Sequence, residues 1–223
     1  MSLLPHYIHV LKPSLKHIYL SLNDEGTLVI KAGKISLNEI ERILIKRASW
    51  IQKAYEQFYT RKGKAVTFNT SSELYFLGKP YPLKLMKHEK KQTTLNFENN
   101  LFILYYSTYD TKIFQKKINQ FYKKAIEEYL PPYIKQWENK MQLYSLSIKF
   151  RKTKRQWGSC SSRNNLSFNT MLMKLPNEII QYIIVHEISH IKYKHHQKEF
   201  WDFVSKYQPE YKTIHQRLKE FTT

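Results

Sequence analysis

The chain has 223 residues, enough for one large domain or two small ones with a real core. Hydrophobic residues at 42% and charged residues at 25% place it among globular rather than disordered proteins. Thirty-seven Lys and Arg against 18 Asp and Glu give a net charge of +19, a field that attracts polyanions such as nucleic acid or serves solubility alone. No apolar run approaches the ~18 residues of a membrane span. Pro5, His6, His9, Lys12 and Lys16 break up the N-terminus, so no secretory signal is expected. The five glycines are spaced too widely for a Rossmann fingerprint or a P-loop. One cysteine, Cys160, excludes an internal disulfide framework and points to a reducing, cytoplasmic setting.

In chain order, Tyr7–Val10, Ile18–Leu22 and Leu28–Ile30 read as strands, with a turn at Asn23-Asp24-Glu25-Gly26 and an antiparallel hairpin as the economical pairing. Ser36 and Glu39 form a capping box before a helix with apolar Ile40, Ile43, Leu44, Ile51, Ala54 and Phe58, and Trp50 reads as core. Residues 73–104 return to strands, turning at Gly78-Lys79-Pro80 and Glu98-Asn99-Asn100. From Asp110 a helix is expected with the stripe Phe114, Ile118, Phe121, Ala125 and Tyr129, interrupted at Pro131-Pro132. Strands follow at Ser147–Phe150 and Asn165–Asn169. Pro176 then opens a helix to about Tyr193, and two short helices complete the chain. The change of character divides the sequence into residues 1–109, rich in antiparallel strands, and 110–223, either separate or one interlocked domain.

The chemistry concentrates at His186-Glu187-Ile188-Ser189-His190, an H-E-x-x-H. Histidines four apart on a helix lie about 40° apart around its axis, so both imidazoles can meet one metal. Glu187 points aside, able to reach a water at that metal without ligating it. With nine His and 15 Glu in the chain, accident would supply roughly 0.02 such matches. The surrounding run of isoleucines adds weight, because ionisable groups in a buried helix are costly unless satisfied. Zinc suits imidazole ligands and an open fourth position. His195, His196 and Glu199 follow closely as further donors. On one straight helix His196 would sit about 80° off the face of His186, so it ligates only if the helix ends near Tyr193 and the chain doubles back. Metzincins place a glycine at such a bend; here the position is Tyr193.

This motif, followed by His196 and Phe200-Trp201 and preceded by Trp157-Gly158-Ser159-Cys160-Ser161, resembles the YgjP-like metallopeptidases, relatives of the SprT-like zinc proteases. The likeness spans most of the chain and is most specific between residues 157 and 201. It implies an α+β, zincin-like fold, with His186, His190 and His196 as zinc ligands and Glu187 as catalytic base. Gln156 stands where the family commonly has Arg, and His195-His196-Gln197 replaces Asn-His-Ser, leaving His195 as an alternative ligand.

For the substrate, Lys149, Arg151, Lys152, Lys154 and Arg155 put five cations just before Trp157-Gly158, which reads as a tight turn. Lys152, Lys154 and Arg155 are candidate contacts to phosphate. Asn165–Asn169 is the candidate edge strand for an extended peptide, which makes Asn165 and Asn169 candidate contacts. A peptidase is the leading expectation. A nucleoside triphosphate phosphohydrolase using the same metal and Glu187 is the alternative, and a polyanion-binding module with structural zinc the third. Cys160 reads as a small packing residue, and Phe200 and Trp201 as core.

Overall fold

The computed structural model describes residues 5–23, 26–60, 66, 68–69 and 71–221. The chain is of mixed α+β class and divides into two compact units, Met1–Arg61 and Lys62–Thr223. The change of character near residue 110 therefore lies inside the second unit. Among the described residues no helix is long and apolar enough to cross a membrane.

In the first unit, β2 (Tyr19–Leu22) and β3 (Leu28–Ala32) form the expected hairpin, while β1 (Tyr7–Leu11) lies parallel to β3 on its other side. Asp24 and Glu25 of the expected turn lie outside the described residues. Ser36 and Glu39 make the capping box of α1 (Leu37–Lys46). The single helix expected here is two, for α2 (Ala48–Thr60) begins after a break at Arg47. A straight helix from Leu37 to Thr60 would run about 36 Å, twice the length of the five-residue strands beneath it. The break lets Ile40, Leu44 and Ile51 share one small core with Leu28 and Ile30. Trp50, expected in that core, is 43% exposed; its neighbour Ile51 takes the buried place.

The second unit begins with a sheet of order β4-β5-β7-β6, from β4 (Glu73–Phe76), β5 (Lys79–Lys87), β6 (Thr94–Glu98) and β7 (Leu101–Tyr106). Its two hairpins turn on Leu77-Gly78 and Asn99-Asn100, all four residues at positive φ, as tight two-residue turns require. At Gly78 a Cβ would also come within 2.7 Å of Pro176, so glycine is needed twice over.

Helix α3 (Thr111–Met141) is capped by the Asp110 carboxylate, which accepts from the Lys112 and Ile113 amides. It runs unbroken through Pro131-Pro132, against expectation. Both prolines are exposed, so the carbonyls of Glu127 and Glu128 that lose their donors are not trapped in the core. Burial on either side holds the helix together, because Phe114, Ile118, Tyr122, Ile126, Leu130 and Ile134 form one buried row. The expected stripe slips by one residue after Ile118.

A second sheet has the order β8-β10-β9, with β8 (Ser147–Arg151), β9 (Gly158–Cys160) and β10 (Asn165–Asn169). After a 3-10 turn at Thr170–Lys174 come α4 (Asn177–Lys192), α5 (Lys198–Tyr207) and α6 (Tyr211–Leu218). Ile180, Ile184 and Ile188 of α4 are fully buried among α3, the sheets and α5. The helix that carries the H-E-x-x-H is thus the central rod of this unit.

Candidate metal centre

Helix α4 ends where the third histidine requires. Tyr193 caps it in an extended conformation (φ −122°, ψ 107°) with its amide still bonded to Ser189 O. The chain then doubles back into α5 with no residue at positive φ between them, so no glycine is needed at the bend. This brings His196 onto the other two imidazoles. The Nε2 atoms of His186 and His190 are 3.3 Å apart, those of His190 and His196 3.0 Å, and those of His196 and His186 3.1 Å. His195 stays outside the group; its Nδ1 accepts instead from the Gln197 amide.

Three hydrogen bonds cannot explain that triangle. Each contact would need one N–H and one bare nitrogen, and three nitrogens in a ring cannot alternate. A tetrahedral ion with bonds of about 2.0–2.1 Å to nitrogen separates its ligands by about 3.3 Å, which the triangle nearly matches. The residues present therefore fit a zinc-sized cation. His190 donates from Nδ1 to Tyr193 O at 2.8 Å, which leaves its Nε2 free of a proton and fixes the ring. Burial pushes His186 down to about 3, helped by His190, His196 and His215, and burial lowers His190 too, so these two imidazoles favour the neutral form. The His186 Nδ1 is buried with no hydrogen-bond partner.

Aromatic rings hold the cluster from below. Phe200, fully buried, stacks on His190 at 4.5 Å and meets His186 and His196 edge-on. Trp201 stacks on His196 at 5.6 Å and donates from Nε1 to its carbonyl. These two residues, expected only as core, also orient all three imidazoles.

Glu187 is 6% exposed, and burial raises its carboxyl to about 8. Its side chain packs on Gly158 of β9, where a Cβ would come within 2.6 Å of the Glu187 Cγ and Oε1. The glycine of the Trp157-Gly158-Ser159-Cys160 run thus leaves room for the carboxylate. Cys160, half-buried, is not part of the histidine group; burial raises its thiol, against the pull of Lys194.

The substrate candidates are placed differently from expectation. Strand β10 is central, paired parallel to β8 and antiparallel to β9, so it offers no free edge. The edges are β8 and β9, and β9 is the one that packs beside α4. Asn169 is 1% exposed; its amide donates to the Thr153 and Gln156 carbonyls while its oxygen accepts from Met171 N, which occupies it as a clamp on the 153–156 loop. Asn165 accepts from Ser147 Oγ and donates to Ser161 Oγ. Lys152 donates to Asn119 Oδ1 of α3 at 3.0 Å, and Lys154 and Arg155 are exposed.

The fold brings together three imidazoles that could hold a metal ion, two of them on the same helix as a buried glutamate in an H-E-x-x-H. The YgjP-like metallopeptidase domain family matches residues 16–221, and the chain belongs to that family. Among solved structures it is similar to the zymogens of jannalysin from Methanocaldococcus jannaschii and abylysin from Pyrococcus abyssi. Each is 22% identical with a TM-score of 0.36 over 39% of this chain, and over 90% and 89% of the respective neighbour. No curated protein matches.

Proposed function

We propose that this metallopeptidase is zinc-dependent, with His186, His190 and His196 holding the metal and Glu187 acting as general base. The observation that carries the reading is the triangle of Nε2 atoms 3.0–3.3 Å apart, with no fourth His, Cys, Asp or Glu joining it among the described residues. Three ligands leave a catalytic position open, where bound zinc would polarise a peptide carbonyl and acidify a water. A carboxylate buried next to the three imidazoles suits taking a proton from that water and returning it to the leaving amine. The edge of β9 would accept an extended peptide by main-chain hydrogen bonds. The basic segment lends a nucleotide substrate no comparable support, since Lys152 is bonded to Asn119. The lone thiol of Cys160 fits a reducing, cytoplasmic setting.

The test is Glu187→Gln assayed on peptide pools. It should keep its metal and lose about 10²-fold or more in turnover. Unchanged turnover would refute the role; loss of the metal would make Glu187 a structural partner.

A further inference from the structure

The corner that carries His196 has little backbone support of its own. Among the described residues, Lys194, His195 and His196 make no backbone–backbone hydrogen bond. Trp201 holds the far side of the corner through the His196 carbonyl. On the near side a single side chain crosses to the second sheet. Lys194 Nζ donates to Asn164 Oδ1 at 2.6 Å and Ser161 O at 2.9 Å, and lies 3.5 Å from Cys160 Sγ. An ammonium has three donors, so this set uses all of them. Asn164 stands at φ +57° in the turn between β9 and β10, where its amide nitrogen bonds Ser161 O, so the receiving turn is itself fixed.

We propose that Lys194 is a positioning residue, a clamp that ties the His196 corner to the β9–β10 turn and thereby sets how firmly the third imidazole is presented to the metal. The inference rests on the zinc-site reading above and extends it to a residue outside the H-E-x-x-H. His186 and His190 are fixed by a buried helix, but His196 hangs on a short irregular segment that is exposed to water. Metal retention is then governed by the least constrained of the three ligands. Groups that orient a ligand without touching the metal commonly change affinity about 10–100-fold.

The experiment uses the full chain loaded with Zn²⁺ or Co²⁺ and challenged with an excess of chromogenic chelator, beside melting curves of the metal-free forms. Lys194→Met keeps the aliphatic stem and removes the donors; it should release metal about tenfold faster or more and shift the cobalt d–d spectrum, with the metal-free melting temperature unchanged. Lys194→Arg should recover most of the retention. Asn164→Gly keeps the left-handed turn while removing one acceptor; it should fall between, and the double variant should be no worse than Lys194→Met. Release from Lys194→Met at the parent's rate with the same spectrum would overturn the clamp, as would an equal fall in metal-free and metal-loaded melting temperatures. Should Lys194→Met fail to fold, parental release from Asn164→Gly overturns it alone. A parent that binds no metal sinks the zinc reading and the clamp together; a metal-holding parent with an indifferent Lys194→Met sinks only the clamp.

Discussion

Residues 186–196 and residues 149–155 are the two segments densest in chemistry, and folding treats them in opposite ways. The first converges: three imidazoles meet within 3.3 Å over a fully buried phenylalanine, beside a carboxyl with 6% exposure. The second disperses. Lys149 and Arg151 are exposed on β8, Lys152 turns to α3, and Thr153 is held by Asn169. The difference follows from backbone period. A helix brings residues four apart onto one buried face, whereas a short strand running into a loop sends neighbouring side chains apart. A charge run is therefore weak evidence for a site, and a spaced motif on a buried helix is strong evidence.

The largest effect should come from His190→Ala. Losing one of three ligands should reduce metal content from about one ion per chain to near none and abolish metal-dependent thermal stabilisation. Full metal content by elemental analysis would break the comparison at its stronger end. Gly158→Ala should come next. Its Cβ would collide with Glu187 at 2.6 Å, against a buried carboxylate with little room to yield. Metal should stay while peptide turnover falls by about tenfold or more, and parental turnover would show that the carboxylate tolerates displacement.

Much of this site was legible in advance, for reasons that particular residues make clear. Helix α4 declares itself by Pro176, its isoleucines and the i, i+4 histidines, and β10 by its alternation between turns. If His196 is a ligand, angular arithmetic requires the helix to end near Tyr193. What could not be read was non-local. Nothing in Arg47 announces a break, because the reason lies in the size of the sheet below. Pro131-Pro132 looked like a stop, and only the buried row on either side overrides it. The roles of Gly158 and Lys194 depend on contacts with partners about 30 residues away in sequence. Trp157-Gly158 reads as a tight turn, whereas Gly158 opens strand β9, where a glycine marks close approach.

Two smaller predictions sharpen the weaker side of the comparison. Lys174, near the basic segment, is held down to about 8, by burial first and then by the charge of Lys152. Its folded form sheds the proton before the unfolded chain does at the ordinary 10.5. The stability it contributes is thus present above 10.5 and lost as pH falls toward 8, at no more than about 1.4 kcal/mol per pH unit. Denaturant titrations across that window should show the slope in the parent and a reduced slope in Lys174→Met; identical slopes would refute the assignment. Least affected should be the variant with Gln at Lys152, Lys154 and Arg155. Peptide kcat/KM should stay within about twofold of the parent, since exposed charges are screened within about 8 Å at physiological salt. A tenfold rise in KM would return the segment to the site.

The central claim is that three histidines and no other side chain hold one metal ion with a position left open. X-ray absorption at the zinc edge of the purified, zinc-loaded chain tests it most directly. The account predicts a first shell of three imidazole nitrogens and one light solvent atom at about 2.0–2.1 Å. A sulfur at about 2.3 Å, which only the Cys160 thiol or a methionine thioether could supply, or four imidazole or carboxylate ligands from the protein, would contradict it.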